Sequence, residues 1–316
     1  MRRVDTQTTA YARHMTVPVA HHDPTVPISG WRARIPAYVA LTKPRIIELL
    51  LITTLPAMVL AAKGWPSTWL VAATLIGGTL SAGGANALNN WFDRDIDSVM
   101  RRTSTRPLPS HTVTPGGALG FGILLGVAGF VWLWLTTNLL AAVIATGALV
   151  YYVVVYTVAL KRSSVQNIVI GGAAGAAPVL VGWAAVTGSL DLTAWVLFAI
   201  VFYWTPPHFW ALAIRYRDDY ARAVVPMLPV VAGVGAATRR IVLYAGLMVF
   251  VSLLLVPVAP MGWIYLGAAL ALGAWFIAES WRVFLSPERA MGLFTTSTVY
   301  LAALFAAVML DGLLTT

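Results

Sequence analysis

The chain has 316 residues, of which 59% are hydrophobic and only 10% carry a charge, whereas a soluble globular domain carries roughly 25% charged residues. Its mean hydropathy is +0.78, and the sequence contains no cysteine, which excludes disulfides, thiolate nucleophiles and thiolate metal ligands. In a soluble protein the net charge of +9 would indicate a nucleic-acid partner, but membrane topology explains the basic residues better. The composition predicts an all-α protein that crosses the lipid bilayer several times.

The first 36 residues are polar, contain proline and lack the apolar core of a signal peptide. They predict a flexible cytoplasmic tail, so the membrane domain is expected to span residues 37–316. Beyond the tail, nine segments are long and apolar enough to cross a bilayer core of about 30 Å. These segments span residues 46–62, 68–89, 116–135, 139–160, 166–186, 192–214, 239–258, 261–280 and 293–313.

The basic residues fall almost entirely on one side of these segments. If the N-terminus lies in the cytoplasm, twenty of the twenty-one Lys and Arg residues are cytoplasmic and only Lys63 is outside. Cytoplasmic loops of membrane proteins carry such an excess of positive charge. The count predicts a bacterial-type inner (plasma) membrane protein with a cytoplasmic N-terminus and an external C-terminus. Of the acidic residues, only Asp191 and Asp311 fall on the outer side.

The second segment ends in a polar run, NALNNWFDRDIDSVMRRTSTRPLPS, at residues 86–110. If the helix continues through this run, several Asn and Asp side chains recur at helical spacing and share one face. That face comprises Asn86, Asn89 or Asn90, Asp93 and Asp97. Carboxylates so close together repel one another unless a cation lies between them, and side-chain oxygens of this kind suit Mg²⁺. The run predicts a magnesium site at the end of a membrane helix.

Arg101, Arg102 and Arg106 follow directly, and the planar guanidinium group is suited to phosphate oxygens. Carboxylates, a divalent ion and arginines at one helix end predict a site for a diphosphate. Asp95 points away from that face and is expected to pair with Arg94 or Arg101. In the alternative interpretation, the acids and arginines only pair with each other in a solvated loop. The repeated asparagines argue against this alternative, because burying amides without a task costs free energy.

The run N-x-x-x-D-x-x-x-D from Asn89 to Asp97, followed by RRTSTRPL, resembles the first signature of the UbiA superfamily of intramembrane prenyltransferases. The resemblance implies nine transmembrane helices around a central cavity that opens to the cytoplasm. It also implies two Asp-rich motifs that bind Mg²⁺ and a prenyl diphosphate. Asn90 stands where many members have aspartate, so the first motif here has one carboxylate fewer. The metal ligands expected from the resemblance are Asn89, Asp93, Asp97 and Asp219.

A second polar region, FYWTPPHFWALAIRYRDDYARAVVPMLPVV, begins at residue 202 near the end of the sixth segment. Asp218 and Asp219 are adjacent, so they point about 100° apart on a helix and only one of them faces Asp93; Asp219 is preferred. The superfamily often has D-x-x-x-D here, and this chain does not. His208 lies in an apolar membrane segment, where a histidine is by default a functional candidate. It is either an axial ligand of haem iron or a structural residue that bonds a backbone carbonyl freed by the two prolines before it.

The motifs W-T-P-P-H-F-W-A-L-A, R-D-D-Y-x-x-A-x-x-P-M-L-P-V and LTKPRIIELLLITTLPAM resemble the branch of the superfamily that farnesylates protohaem IX. The likeness covers roughly residues 38–312. It implies farnesyl diphosphate and haem B as substrates, with haem O and diphosphate as products, for the cofactor of haem-copper oxidases. It leaves open an association with haem-handling or oxidase-assembly proteins.

The same resemblance assigns the site residues. Those expected to take part in catalysis are Asn86, which orients the site, Asn89, Asp93, Asp97, Asp218 and Asp219. Those expected to bind substrate are Lys43, Arg45, Asn90, Arg101, Arg102, Arg106, His208, Arg215 and Tyr220.

Two other functions fit part of the sequence. A UbiA-type enzyme with an aromatic or quinone-precursor acceptor shares the diphosphate site and differs only at His208 and its surroundings. A transporter also carries charges within the membrane and is often built from paired halves, and this chain has two long polar loops four helices apart. The outer ends of the segments are almost without polar residues, however, whereas a transport path needs polar groups at both ends.

Overall fold

The computed structural model describes residues 31–314, apart from the side chains of residues 31–33, 46 and 48–51, and contains only helices in that range. The long helices are α2 (Pro44–Ala62), α3 (Thr68–Phe92), α5 (Pro115–Thr136), α6 (Leu139–Val150, continued as a π-helix over Tyr151–Leu160), α7 (Asn167–Thr187), α8 (Leu192–Arg215), α11 (Val234–Val258), α12 (Trp263–Leu285) and α13 (Ala290–Leu314). The shorter elements are α1 (Trp31–Thr42), α4 (Arg94–Val99), α9 (Arg217–Arg222), α10 (Leu228–Val231) and a 3₁₀ turn at Pro287–Arg289.

Each of the nine predicted segments falls on one long helix, so the predicted all-α membrane architecture is confirmed. Within residues 31–314, eight helices are long and apolar enough to cross a membrane. The first predicted segment falls on α2, which contributes a shorter apolar stretch, Ile52–Ala62. Helix α1 begins inside the predicted tail, and the rest of that tail, residues 1–30, lies outside the described residues.

The helices pack in two rows that meet at α2, α7 and α8. In one row α3 packs against α5, α5 against α6 and α6 against α7. In the other row α8 packs against α11 and α13, and α12 lies against both α11 and α13. Helix α2 contacts both α7 and α13, and α7 contacts α8. The long polar loops follow α3 and α8, one from each row, and they lie at the same end of the bundle, where they contact each other.

Glycines allow α3 and α5 to approach closely. A Cβ atom at Gly84 would lie 2.8 Å from the carbonyl oxygen of Gly122 and 2.8 Å from the amide nitrogen of Gly126. A Cβ atom at Gly129 would lie 2.8 Å from the amide nitrogen of Ser81. Small residues commonly line such contacts between membrane helices, because dispersion and backbone approach replace the hydrophobic driving force there.

Gly84→Ala is therefore expected to lower the thermal unfolding temperature of the detergent-solubilised protein, since overpacking a tight contact costs about 1–3 kcal/mol. Gly78→Ala is the matched control: it lies in the same helix, and nothing is within 4 Å of a Cβ atom at that position. Alanine is also the better helix former, so the control should be neutral or stabilising. Equal shifts in the two variants would contradict the close packing of α3 on α5.

The two acidic residues at the opposite end of the bundle from the polar loops serve as helix caps. Asp191 accepts a hydrogen bond from the amide of Ala194 (3.1 Å) at the start of α8. Asp311, on α13, accepts from the amides of Gly262 and Tyr265 (3.4 Å for the latter) at the start of α12. Carboxylates stabilise the free N–H groups and positive dipole of a helix N-terminus, so these acids have a structural explanation.

Candidate functional site

The acidic face at the end of α3 persists although the helix is interrupted at Asp93. Asp93 separates α3 from α4, with φ −90° and ψ 5°. The amide of Asp93 still bonds the carbonyl of Asn89 (2.9 Å), and the amide of Asp97 bonds the carbonyl of Asp93 (2.8 Å). Helical register is thus kept, and Asn89, Asp93 and Asp97 are all buried while Asp95 is exposed.

Asn89 connects the first polar loop to two other helices. Its Nδ2 donates to Asp93 Oδ2 (2.7 Å) and to Thr157 Oγ1 (3.0 Å). Its Oδ1 accepts from the ammonium group of Lys43 (2.7 Å), at the junction of α1 and α2. Lys161, which directly follows the π-helical end of α6, pairs with Asp93. Asp93 and Asn89 thus bind Lys161 and Lys43, two basic residues from different parts of the chain.

The π-helix Tyr151–Leu160 places Thr157 and Lys161 in this network. The amide of Lys161 bonds the carbonyl five residues back, on Tyr156 (2.8 Å), and Thr157 Oγ1 donates to the carbonyl of Tyr152 (2.9 Å). The wider turn of a π-helix is frequently found at functional sites. Neither Lys161 nor Thr157 is among the site residues predicted from the sequence. For Lys161 a signal was present in the Lys161-Arg162 pair, which must lie at the polar end of the bundle.

Asp97 pairs with Arg106, which lies nine residues later in the same polar loop. Nη1 of Arg106 lies 2.9 Å from Oδ1 and 2.8 Å from Oδ2 of Asp97, and Thr103 Oγ1 donates to the Asp97 carbonyl (3.0 Å). Asp95 has a different partner from either of the predicted arginines. It is bound by Arg162 at 2.7 and 2.8 Å, because the turn after the π-helix places that guanidinium beside α4, so the predicted pairing with Arg94 or Arg101 is wrong.

The second polar loop meets the first one. Asp219 is buried, pairs with Arg222, and accepts from the backbone amide of Arg102 at 3.4 Å. The guanidinium of Arg102 donates to the hydroxyl of Tyr220 (3.4 Å) and lies 5.3 Å from the ring centre of Tyr216. Asp218 is exposed. Of the two adjacent aspartates, Asp219 is therefore the one that faces the first loop.

Asn86 and Asn90 lie beside the acidic network and face α1. Asn86 Nδ2 donates to the carbonyl of Thr42 (2.9 Å), and Asn90 Nδ2 donates to the carbonyls of Leu41 (2.9 Å) and Asn86 (3.0 Å). The remaining predicted basic residues lie at the same end with exposed side chains. They are Arg45, Arg101 and Arg215.

His208 lies apart from these residues, among aromatic side chains between α8 and α13. Its Nδ1 is 2.7 Å from the hydroxyl of Ser297. Its ring stacks on Trp204 at 4.3 Å and on Phe294 at 4.2 Å, and Phe209 meets it edge-on at 5.2 Å. The hydrogen-bond partner of His208 predicted from the sequence is a backbone carbonyl, whereas in the structure Nδ1 meets the hydroxyl of Ser297.

The charges at this site are held in a partly buried environment. Burial, reinforced by the positive charges of Arg106 and Lys161, lowers the pKa of Lys43 to about 7. The hydrogen bond from Arg162 lowers the pKa of Asp95 to about 2, and burial raises the pKa of Tyr220. Basic groups this close together are stabilised when an anion lies between them, because it removes their mutual repulsion.

The donor atoms at this site fit a hard divalent cation. Asn89, Asp93, Asp97 and Asp219 offer only oxygen ligands, the type that Mg²⁺ prefers, and Oδ1 of Asp93 is buried without a hydrogen-bond partner. Within residues 31–314, no three His, Asp or Glu side chains lie close enough together to hold a metal. The buried carboxylates are instead each paired with a Lys or Arg side chain.

The sequence model of the UbiA prenyltransferase family matches residues 50–304. The chain is 54% identical to "Protoheme IX farnesyltransferase 2" of Saccharopolyspora erythraea over 283 residues, which cover 88% of this chain and 87% of that protein. It is 56% identical to "Protoheme IX farnesyltransferase" of Frankia alni over 281 residues, which cover 87% of this chain and 97% of that protein.

Solved structures with the same fold are more distant in sequence. A structure of digeranylgeranylglyceryl phosphate synthase aligns with a TM-score of 0.73 and 18% identity, covering 89% of this chain and 99% of the other. A UbiA homolog from Archaeoglobus fulgidus bound to DMAPP and Mg²⁺ aligns with a TM-score of 0.63 and 14% identity, covering 86% and 99%. These two similarities establish the fold. Together with the match to the family model and the relatives above, they lead to one conclusion: the chain belongs to the UbiA prenyltransferase family.

Proposed function

We propose that this protein transfers the farnesyl group of farnesyl diphosphate to a vinyl group of haem B and that water adds to the product, giving haem O and diphosphate. The names of relatives that share more than half of their aligned residues with this chain support the pair of substrates. The observation that carries the proposal is the contact between the two polar loops through Arg102 and Asp219. This contact supports the proposal that the carboxylates and basic residues of the two loops act together as one site.

The polar end of the bundle is proposed to face the cytoplasm, with the N-terminus inside and the C-terminus outside a bacterial plasma membrane. The distribution of Lys and Arg supports this orientation. Farnesyl diphosphate is an amphiphile, so its headgroup meets the polar loops from the cytoplasmic side while its chain enters the apolar bundle.

Asn89, Asp93, Asp97 and Asp219 are proposed to hold Mg²⁺ and the diphosphate, directly or through water. When bound, Mg²⁺ would neutralise charge on the leaving group and so ease cleavage of the allylic C–O bond. In this structure each of the three buried aspartates at this site is paired with a Lys or Arg side chain. This pairing fits an exchange in which Mg²⁺ replaces the basic side chains when substrate binds. Arg106 and Lys161 would then turn from the carboxylates of Asp97 and Asp93 to phosphate oxygens.

Lys43, Arg102 and Arg106 are proposed to bind the phosphate oxygens. Their positive charges stabilise the negative charge that grows on the diphosphate as it departs, and such preorganised groups are commonly the largest contribution to catalysis. Lys161 is added to this set by its contact with Asp93. Haem propionates are the alternative anions for the outermost of these groups, Arg102, which is exposed.

The farnesyl cation formed by this cleavage reacts with the vinyl group of haem B, and water then captures the resulting cation as a hydroxyl group and releases a proton. Exclusion of bulk water before that point is essential. The rings of Tyr152 and Tyr156 stack 5.3 Å apart, and Tyr156 lies so close to Gly171 that a Cβ atom at that position would clash with its ring. This ring pair is proposed to shield the apolar side of the site.

We favour a packing role for His208 over ligation of haem iron, because both faces of its ring are covered and the residue is buried apart from the polar loops. The hydrogen bond between Nδ1 and Ser297 is compatible with both roles, since a histidine that binds iron through Nε2 commonly bonds a second group through Nδ1. His208→Ala is expected to lower the unfolding temperature, since it creates a cavity in the core, but to leave the Soret spectrum and affinity of bound haem B unchanged. The matched variant Ser297→Ala should give a smaller loss of stability. Loss of the Soret shift in His208→Ala alone would restore the ligand role.

The function is tested by incubating the purified protein with farnesyl diphosphate, haem B and Mg²⁺ and extracting the haem for chromatography and mass spectrometry. A more hydrophobic haem with the mass of one farnesyl group and one hydroxyl group added is the expected product. The alternative is a prenyltransferase with an aromatic or quinone-precursor acceptor, which shares the diphosphate site. Prenylation of hydroxybenzoate or a quinone precursor, with no modified haem, would establish that alternative instead.

A further inference from the structure

Lys43 reaches the site from an unfavourable backbone conformation. It has φ 54° and ψ 64°, in the left-handed region, which residues other than glycine rarely adopt. Pro44 follows it directly, and a residue before proline prefers an extended conformation. A strained residue of this kind persists only when its surroundings hold it in place.

Two asparagines of α3 supply such a constraint. Asn86 and Asn90 donate to the carbonyls of Thr42 and Leu41, the last two residues of α1 and the two immediately before Lys43. Both amide side chains are buried, where a hydrogen bond is costly to lose. Leu41 is itself fully buried in a small apolar cluster with α3 and α5. The end of α1 is thus fixed to α3 by polar and apolar contacts together.

A third asparagine of the same helix, Asn89, contacts the side chain of Lys43. Lys43 Nζ lies 2.7 Å from Asn89 Oδ1, one residue along α3 from Asn90 and three from Asn86. Two side chains of α3, Asn86 and Asn90, therefore hold the backbone of the α1–α2 junction. A third, Asn89, accepts a hydrogen bond from the Lys43 side chain at that junction. A shift of this junction would move the ammonium group away from Asn89 and Asp93.

We infer that Asn86 and Asn90 are positioning residues that act through Lys43, and that position 90 requires an amide because its two partners are carbonyl oxygens. A carboxylate there has no hydrogen to donate and would face the carbonyls of Leu41 and Asn86 with a negative charge. This accounts for asparagine where a third carboxylate of the acidic motif would otherwise stand. The inference rests on the proposed function, since it assigns the substrate's diphosphate as the group that Lys43 meets.

A double-mutant cycle tests the inference: wild type, Asn90→Asp, Lys43→Ala and the two together, each assayed for kcat, for KM of farnesyl diphosphate and for the Mg²⁺ concentration at half-maximal rate. Asn90→Asp is expected to raise KM about tenfold with little change in Mg²⁺ requirement. In the Lys43→Ala background the same replacement should change KM less than about twofold, because the group it positions is absent. Multiplicative effects in the double mutant would overturn the inference, as would a lower Mg²⁺ requirement in Asn90→Asp, which marks position 90 as a metal ligand.

Calorimetric titration with inorganic pyrophosphate and Mg²⁺ repeats the cycle without catalysis. Asn90→Asp is expected to bind pyrophosphate more weakly than wild type, and the double mutant is expected to bind it no more weakly than Lys43→Ala does. Both results are expected even if the acceptor proves not to be haem. A wild-type protein that makes no farnesylated haem but shows this non-additivity would refute the proposed function and preserve the inference. If Asn90→Asp does not accumulate in the membrane, Asn86→Ala, which removes the bond to Thr42, enters the cycle under the same criteria.

Discussion

Asp93→Ala is expected to lower kcat/KM for farnesyl transfer by at least about 10³-fold while the protein still accumulates in the membrane. Asp93 is fully buried, pairs with Lys161 and bonds Asn89, so its loss removes a proposed metal ligand and releases two of its neighbours. Electrostatic stabilisation of a leaving group commonly supplies effects of this size. The measurement is the initial rate of haem O formation at saturating Mg²⁺.

Asp95→Ala is the matched control for that experiment. Asp95 lies two residues away in the same loop, is exposed, and binds only Arg162 on the surface, where an ion pair is worth little. Its replacement should leave kcat/KM within about twofold of wild type. Substantial turnover by Asp93→Ala, or an equal loss in both variants, would remove Asp93 from the site.

Asp219→Ala is expected to lower kcat/KM by about 10²-fold or more, because Asp219 is the buried carboxylate that brings the second loop to Arg102. Loss of one preorganised group at such a site typically costs 10²–10³ in rate. Asp218→Ala, one residue earlier and exposed, should be close to wild type. The two variants are compared by rate and by their thermal unfolding temperatures, so that a folding defect is recognised.

The opposite ranking, with Asp218→Ala inactive and Asp219→Ala active, would show that the loop rearranges when substrate binds. In that event the contact between Arg102 and Asp219 would be a feature of the free protein alone. Equal activity of both variants would leave the first loop as the whole of the diphosphate site.

The helices and the acidic face were predictable because both depend on local patterns. A run of about 20 apolar residues identifies a membrane helix wherever it packs, and i, i+4 spacing placed Asp93 and Asp97 on one face even though α3 ends at Phe92, before both of them. The burial of one of two adjacent aspartates also follows from the 100° step of a helix. None of these conclusions required knowledge of which helices are neighbours.

The partners of individual side chains were not predictable in the same way. Thr157 and Lys161 reach Asn89 and Asp93 through a π-helix, and a period of 3.6 residues gives no indication of hydrogen bonds to the fifth residue back. His208 meets a hydroxyl 89 positions away in sequence, on α13. In the motif, Asn90 stands where a third carboxylate ligand would be expected. Only the position of α1 reveals the carbonyl oxygen of Leu41 beside it.

The central claim is that carboxylates from both polar loops bind one metal–diphosphate. Calorimetric titration of the solubilised protein with a non-hydrolysable farnesyl diphosphate analogue, with Mg²⁺ and then with chelator, tests it most directly in wild type, Asp93→Ala and Asp219→Ala. The account predicts binding only in wild type and only with Mg²⁺ present. Undiminished affinity in the chelator, or in the variant of either loop, would contradict it.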